Sequence, residues 1–200
     1  MQEAGRVGQV GQVGLVGKTG MRLKLSSCHV RSWRASDADS LVTHANNYKI
    51  WINLRDAFPH PYTKRDARTF LRGVLRRKPE TLFAIAVNDE AVGGIGFVLH
   101  QDVERVSAEI GYWLGEPFWK RGITSEALAA VTKHAISTHK LTRIYAVPFA
   151  WNPASCRVLE KAGYVLEARL RNSAIKNGQL TDQMQYAFVK SENLKEKTEK

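Results

Sequence analysis

One stretch of the sequence combines residue types that together favour the binding of an anion. Residues 117–128 read PFWKRGITSEAL and bring together two cations, one glycine and two hydroxyls: Lys120, Arg121, Gly122, Thr124 and Ser125. Apolar residues recur with helical period from Ile123 onward, which predicts a helix that begins here. The first N–H groups of a helix have no partner within it and the helix dipole is positive there, so a phosphate is stabilised at this end. An ordinary helix start with surface charge is the alternative interpretation.

A second stretch, NPASCRVLEKAG at residues 152–163, carries the signals of a short helix at both of its ends. Asn152 is a favoured N-cap residue, Pro153 suits the first helical position, and Gly163 is a favoured residue after a helix end. Ser155 lies one turn into this helix. The stretch therefore predicts a helix whose first turn carries a polar amide and a hydroxyl.

The elements that must position these two stretches alternate between helix and strand patterns. Two pairs with capping-box spacing predict two early helices: Ser36 with Asp39, and Thr63 with Asp66. Seven runs are predicted as strands: 23–33, 81–87, 91–100, 107–115, 143–151, 164–175 and 181–190. The turn segments NDE (88–90) and KNGQ (176–179) join neighbouring runs into antiparallel hairpins. The predicted fold is α+β, with a mixed, mostly antiparallel central sheet flanked by helices.

The length and composition are those of one ordinary globular domain. The chain has 200 residues, of which 44% are hydrophobic and 24% charged, and nothing in mid-chain suggests a second domain. We expect the domain over 22–190 and a charged tail over 191–200. No apolar run approaches the roughly 18–20 residues that cross a bilayer, so we expect no membrane partner. Cys28 and Cys156 match no metal or redox spacing and suggest a reducing, cytoplasmic setting.

Charge and the N-terminal segment add two further expectations. The formal net charge of +11 favours anionic partners, although scattered surface cations explain it equally well. Residues 1–21 are rich in Gly and Val, and so much glycine raises the entropy cost of a packed element, so we expect a disordered extension. We hypothesise that Met21 is the natural start and that residues 1–20 are a tag remnant or a misread upstream extension.

The two stretches at this spacing resemble those of the GNAT superfamily of acetyl-CoA-dependent N-acetyltransferases. AEIGYWLGEPFWKRGITSEAL (108–128) followed by NPASCRVLEKAGY (152–164) is closest to the RimJ/RimL branch, which acetylates ribosomal-protein N-termini. The resemblance covers roughly 22–190. It implies a sheet that splays open beside the first motif, with the pantetheine arm along 109–115 and the pyrophosphate on 120–125. The implied acetyl-CoA-binding residues are Tyr112, Trp113, Leu114, Lys120, Arg121, Gly122, Ile123, Thr124, Ser125, Asn152 and Ser155.

The sequence departs from the family pattern at a few positions. Trp119 stands where the superfamily usually has Gln or Arg, and this branch commonly has an aromatic residue there. Lys120 and Thr124 stand where relatives have small residues, but the backbone donors survive both changes. Many relatives carry a general-acid tyrosine four residues before the glycine that ends the second helix, and this chain has Leu159.

The resemblance also implies the catalytic residues. Ser155 occupies the position of a serine thought to protonate or stabilise the departing CoA thiolate. Glu109 resembles a strand glutamate that serves as general base through water, and strand alternation places it on the same face as Gly111 and Trp113. Glu167 is a second candidate, and attack without a dedicated base is a third possibility. Backbone N–H groups at a bulge of the strand are expected to stabilise the oxyanion.

Aromatic and histidine side chains elsewhere have weaker indications. His44, Trp51 and Tyr62 lie where the family builds its acceptor pocket, but core packing is the more common role for such residues. The lone histidines at 60, 100 and 134 have no metal spacing, and we expect them to be structural or on the surface.

The expected protein is an N-acetyltransferase that moves an acetyl group from acetyl-CoA to a primary amine by direct transfer, without a metal. A protein N-terminus is favoured as acceptor over a small amine. We also allow for association with ribosomal material and for the formation of a homodimer. Neither cysteine has an activating setting for a covalent intermediate. The alternatives are a degenerate acyl-CoA-binding or regulatory module and a basic nucleic-acid-binding protein, although no nucleic-acid-binding motif is present.

Overall fold

The computed structural model describes residues 20–190, which fold around one sheet of eight strands. In chain order the strands are β1 (Arg22–Lys24), β2 (His29–Ser32), β3 (Leu82–Val87), β4 (Glu90–Leu99), β5 (Ser107–Leu114), β6 (Arg143–Ala146), β7 (Val165–Lys176) and β8 (Gln179–Val189). Their order across the sheet is β1-β2-β3-β4-β5-β6-β8-β7. Neighbouring strands are antiparallel except β5 and β6, which are parallel. A parallel pair needs a crossover connection, and the chain between β5 and β6 forms a helix that supplies it.

Helices cover both faces of the sheet. In chain order those of the described residues are α1 (Ala38–Ala45), α2 (Tyr48–Trp51), α3 (Lys64–Val74), α4 (Ile123–His139) and α5 (Pro153–Lys161). The buried side chains of α4, among them Leu128 and Val131, pack with Phe83 and Phe97 on one face. Those of α1 and α3 form a second cluster around Trp33 on the other face. Alternate residues of the central strands therefore serve two separate cores.

The predicted α+β class, with a mixed, mostly antiparallel sheet flanked by helices, is confirmed. The capping box of Thr63 and Asp66 forms as expected, with the Asp66 N–H donating to Thr63 Oγ1 at 3.3 Å. Both hairpin turns also form where predicted. Asn177 and Gly178 have φ of 50° and 73°, the left-handed values that a tight two-residue turn requires.

Several predicted elements are wrong in detail. The run 23–33 is a hairpin, β1 and β2, rather than one strand, because a turn at 25–28 reverses the chain. The first capping box uses Asp37, which accepts from the Arg34 N–H at 2.8 Å, rather than Ser36 with Asp39. Strand β6 ends at Ala146, short of the predicted residue 151.

The predictions for the two ends of the chain have different outcomes. The predictions for residues 1–19 and for the tail 191–200 lie outside the described residues. Met21 was assigned to the extension, but its carbonyl accepts from the Ser32 N–H at 2.9 Å, so it belongs to the first hairpin. Between residues 20 and 190, no helix combines the length and apolar character needed to cross a membrane.

Candidate functional site

A cavity of about 1500 Å³ opens where β5 and β6 separate. This volume exceeds the roughly 300–1,000 Å³ of a typical small-molecule pocket, so there is room for more than one ligand. We call one part the helix end, formed by residues 112–114, 120–125 and 152–155 together with Arg157, Val158 and Lys161. The other part is the loop end, formed by residues 53–59 with side chains from β5, from the loop after β6 and from β7.

The sheet splays at the boundary of these two ends. Strand β5 pairs with β4 over its whole length, but with β6 only from Ser107 to Glu109. Gly115 donates to the carbonyl of Val92 on β4, and ladder groups alternate in direction along an antiparallel strand. The N–H and C=O groups of Tyr112 and the N–H of Leu114 therefore point to the edge that β6 has left. This edge can pair with an extended ligand that carries amides.

The expected strand bulge is wrong for β5. Its register against β4 is unbroken from Ala108 to Leu114, and the register shifts that the sheet does contain lie between β3 and β4 and between β7 and β8. The free backbone groups thus arise from the splay alone. At the end of the strand, Trp119 Nε1 donates to the Leu114 carbonyl at 2.7 Å and holds the following loop against the edge.

The start of α4, where the sequence predicts that an anion binds, combines an unusual backbone conformation with open space. Lys120 and Gly122 both have left-handed backbone conformations, with φ of 63° and 79°. Among the described residues, none accepts a hydrogen bond from the N–H groups of residues 123–125, whereas Glu126 N–H already bonds the Gly122 carbonyl at 3.1 Å. A Cβ at Gly122 would meet nothing within 4 Å, so the space above this turn is open. Ile123 contributes only its backbone, since its side chain is buried.

Cations surround this helix start. Lys120 and Arg121 come from the loop, and Arg157 and Lys161 lie one turn apart on α5 and also line the cavity. No carboxylate in residues 20–190 forms an ion pair with any of these four side chains. The α5 pair was missed by sequence reasoning, although cations spaced i and i+4 on a helix share one face.

The start of α4 is also anchored from below by a contact that the sequence did not indicate. Glu126 accepts hydrogen bonds from the backbone and hydroxyl groups of Ser26 and Ser27 in the β1–β2 turn. Burial alone would raise the pKa of Glu126, but these bonds outweigh it and lower the pKa. The charged carboxylate therefore joins the first hairpin to the first turn of α4. This contact holds the helix start in place.

Helix α5 presents Asn152 and Ser155 to the cavity as expected. Asn152 Oδ1 accepts from the Ser155 N–H at 3.1 Å, which confirms the N-cap. The Ser155 hydroxyl lies 2.9 Å from the Tyr112 hydroxyl on β5. Leu159, at the position of the family's usual tyrosine, is buried in the core and does not line the cavity.

Glu109 lies at the loop end, on the face of β5 opposite to α4. Its side chain is 30% exposed and forms an ion pair with the more exposed Arg55, a partner that sequence reasoning missed. Gly111 and Trp113 share this face as predicted, and Trp113 packs against Phe58 with ring centroids 5.8 Å apart. The carboxylate is therefore open to a second ligand and already holds one cation.

The second candidate base is wrong for this site. Glu167 on β7 accepts from Arg143 at 2.7 Å and does not line the cavity. Ala174, further along the same strand, does line it. β7 is the long edge strand of the sheet and only its C-terminal part lines the cavity, so two residues of one strand have different surroundings.

The three candidate acceptor residues separate in the structure. Tyr62 lines the cavity, whereas His44 lies outside it and bonds Glu90 at 2.8 Å. Trp51 stacks on His60 with ring centroids 5.5 Å apart. The Lys176 ammonium lies 3.9 Å from the centre of the Trp51 ring. Trp51 therefore supports the loop end from behind rather than lining it.

Lys176 is a further residue that the sequence did not single out. Its side chain is only 1% exposed, and its Nζ donates to Asp56 at 2.7 Å. A buried ammonium requires a paired charge, and Asp56 together with the Trp51 ring meets that need. The pair joins β7 to the loop and shapes the wall of the loop end.

A shallower depression of about 390 Å³ continues from the loop end. It shares Lys49, Asn53 and Trp151 with the main cavity, and Trp151 Nε1 donates to Asn53 Oδ1 at 3.2 Å across the boundary. Its far wall carries Tyr48 and side-chain amides of the β7–β8 turn. The two depressions therefore adjoin each other at these three residues.

The remaining candidates for chemistry lie away from the cavity. Burial raises the pKa of the Cys28 thiol to about 11 and also raises that of Cys156, so neither is an activated nucleophile. His100 bonds Tyr145 at 3.0 Å, and His134 packs edge-on against Phe83. Within residues 20–190, no group of three or more His, Cys, Asp or Glu side chains is placed to hold a metal ion.

A sheet that splays beside the start of α4 is the arrangement that the resemblance to acetyltransferases implied. The family model described as an acetyltransferase (GNAT) domain matches residues 28–165. The chain belongs to this family, and the predicted relationship to its ribosomal-protein acetyltransferases is confirmed.

The chain is similar to several acetyltransferases over different lengths. It is 30% identical over 145 residues to the ribosomal-protein-serine acetyltransferase of Escherichia coli (strain K12), covering 70% of this chain and 80% of that protein. It is 40% identical over 102 residues to the uncharacterized N-acetyltransferase YoaA of Bacillus subtilis (strain 168), covering 50% of this chain and 56% of that one. RimL, a ribosomal alpha-N-protein acetyltransferase solved in complex with coenzyme A, has a TM-score of 0.75 at 23% identity, over 85% of this chain and 98% of that chain, and shows the common fold.

Proposed function

We propose that this acetyltransferase moves an acetyl group from acetyl-CoA directly to the nitrogen of a primary amine. The observation that carries the proposal is the free edge of β5, which leads from Glu109 to the free N–H groups at the start of α4. A ligand that carries two amides and a pyrophosphate at its end fits this succession of donors and acceptors. Acetyl-CoA is such a ligand.

Each part of the helix end has a role in holding this substrate. The Tyr112 and Leu114 backbone groups pair with the pantetheine amides, and the N–H groups of residues 123–125 bind the pyrophosphate. Thr124 and Ser125 add hydroxyls beside it, and the four unpaired cations add charge that favours the phosphates. Asn152 holds the first turn of α5 so that Ser155 faces the same space.

The two catalytic residues act on opposite sides of the reacting carbonyl. Glu109 accepts a proton from the amine, directly or through water, as the nitrogen forms its bond to carbon. Ser155 donates a hydrogen bond to the sulfur as the carbon–sulfur bond breaks and its electron pair moves to sulfur. Arg55 must yield its place at Glu109 to the neutral amine that attacks, and its exposure allows this movement.

We propose a peptide N-terminus as the acceptor rather than a small amine. The depression beyond Trp151 continues the path from Glu109, and its amide side chains suit the backbone of an extended peptide. The name of the Escherichia coli relative, a ribosomal-protein-serine acetyltransferase, supports the same choice. A small amine would leave this second depression unused.

The test begins with thermal unfolding of the protein with and without acetyl-CoA, and with ATP as a matched control. A ligand at one hundred times its Kd adds about 2.7 kcal/mol, a shift of roughly 5–10 °C for a domain of this size. We expect that shift with acetyl-CoA and a much smaller one with ATP, which has phosphates but no pantetheine. Equal shifts with both would indicate general phosphate binding by a basic chain, and no shift with acetyl-CoA would contradict the proposal.

Turnover then distinguishes an acetyltransferase from a protein that binds acyl-CoA without catalysis. Release of free thiol from acetyl-CoA is measured with a panel of short peptides and with a panel of small amines, including polyamines. We expect turnover with peptides that have a free N-terminus and none with the same peptides after N-terminal blocking. Tight binding without turnover on any amine would instead support the degenerate acyl-CoA-binding module.

A further inference from the structure

Tyr112 has a side-chain contact that its expected backbone role does not explain. Its hydroxyl lies 2.9 Å from Ser155 Oγ and 3.3 Å from the Ser155 carbonyl oxygen. The ring extends from β5 toward α5, on the face that packs against the core. The strand that binds one substrate thus also contacts the catalytic serine.

Burial keeps the Tyr112 hydroxyl protonated. Desolvation raises the pKa of this phenol well above its usual range, and the hydrogen bond with Ser155 only partly opposes that effect. Tyr112 therefore has a hydrogen to donate at neutral pH. Ser155 Oγ is the nearer of its two acceptors.

Ser155 has few other constraints on its hydroxyl. Its N–H is held by Asn152 Oδ1 at 3.1 Å, which fixes the backbone, but within residues 20–190 its Oγ has Tyr112 as its one hydrogen-bond partner. A serine has one hydrogen and two lone pairs. If Tyr112 donates to Oγ, the serine hydrogen is left to point elsewhere, and the open side is the cavity.

We propose that Tyr112 is a positioning residue that holds Ser155 with its hydrogen directed into the cavity, toward the sulfur that leaves in the proposed acetyl transfer. This inference rests on the proposed function. No proton leaves Tyr112: carbon–nitrogen bond formation and carbon–sulfur bond cleavage put the electron pair on sulfur, Ser155 stabilises that charge, and the amine proton goes to Glu109. Tyr112 takes over part of the task for which many relatives use a tyrosine at the position of the buried Leu159.

The test is a double-mutant cycle between Tyr112→Phe and Ser155→Ala. Phe keeps the ring in the core and removes only the hydroxyl. We expect Tyr112→Phe to lower kcat about 5- to 10-fold, the range for one hydrogen bond, and to leave the KM for acetyl-CoA within about 2-fold. In the Ser155→Ala background the same change has no further effect on kcat, because the group it positions is already gone.

Tyr164→Phe is the matched control. Tyr164 is also buried and its hydroxyl bonds Thr132 at 2.6 Å, but it does not line the cavity. All variants are assayed well below their measured Tm. A loss of kcat in Tyr164→Phe equal to that in Tyr112→Phe, or a full additional loss in the Ser155→Ala background, would show a general effect on the fold and overturn the inference.

The outcomes also separate this inference from the proposed function. A wild-type protein that turns over peptides, together with a Tyr112→Phe variant of unchanged kcat, overturns the inference alone. A wild-type protein that binds acetyl-CoA and acetylates no amine overturns the proposed function, and the inference falls with it.

Discussion

The two ends of the cavity obtain their polar groups from different parts of the polypeptide. At the helix end the groups are mostly backbone N–H and C=O, freed by the splay of β5 and by the start of α4. At the loop end they are side chains, and the charged ones are paired: Glu109 with Arg55, and Asp56 with Lys176. A backbone site tolerates changes of side chain, whereas a site of paired side chains changes with each substitution.

This difference suggests a division of labour. A substrate that is common to a whole family is best recognised by groups that every sequence has, and the backbone supplies them. A substrate that differs between relatives is best recognised by side chains on loops, which vary without disturbing the sheet. Three changes, one at the loop end and two at the helix end, are therefore expected to have effects of decreasing size on activity or acetyl-CoA binding.

The largest effect is expected at the loop end, from Glu109→Gln. The amide keeps the shape of the side chain but cannot accept a proton from the amine, so kcat/KM falls by about 100-fold or more if Glu109 is the base. Acetyl-CoA binding, measured by thermal shift, stays unchanged. The matched control is Glu167→Gln, which neutralises the other candidate outside the cavity and keeps full activity. Normal turnover in Glu109→Gln would mean that attack needs no dedicated base.

A smaller effect is expected at the helix end, from Gly122→Val. A β-branched residue at φ of 79° is strained, which costs about 1–2 kcal/mol of stability, and its side chain fills the space above the helix start. Acetyl-CoA affinity should fall by about 10-fold or more. Gly178→Val introduces similar strain at φ of 73° in the β7–β8 turn and serves as control. If both variants bind acetyl-CoA equally well by calorimetry, the turn at Gly122 does not hold the phosphates.

The smallest effect is expected from the exposed cations of α5. The double change Arg157→Ala with Lys161→Ala should weaken acetyl-CoA binding about 3-fold at low salt, because exposed charges contribute little and salt screens them. The difference from wild type should vanish as salt rises. Arg72→Ala, on α3 and away from the cavity, gives the baseline. A loss of acetyl-CoA affinity that persists at high salt would indicate direct hydrogen bonds rather than long-range electrostatic attraction.

The comparison also explains which parts of the site were predictable. The helix end comes from two short segments of the chain, 112–125 and 152–161, so that local caps, a glycine and helical periodicity predict it. The loop end brings together residues more than one hundred positions apart, such as Asp56 and Lys176. Nothing in either local segment indicates that contact, because it depends on how the end of the edge strand β7 packs against the loop at 53–59.

Two of the wrong secondary-structure predictions also come from side-chain contacts that local spacing does not indicate. A single strand over 23–33 was a reasonable expectation from residue types, but the turn at 25–28 is stabilised by Glu126, which accepts hydrogen bonds from Ser26 and Ser27 about one hundred residues away. The proposed cap at Ser36 has the correct spacing, yet Asp37 is used instead because Arg31 also pairs with it at 2.8 Å. A partner about one hundred residues away decided the first outcome, and a partner six residues away on β2 decided the second.

The sequence by itself determined the α+β class, most of the strands and helices, and where α4 starts, because hydrophobic period, caps and turn residues act over a few neighbouring positions. Only the tertiary structure decided that β6 leaves β5 at Glu109, that Arg55 pairs with this carboxylate, and that Tyr112 contacts Ser155. These features depend on how strands and helices distant in the chain pack together, and short-range patterns carry no information about such contacts.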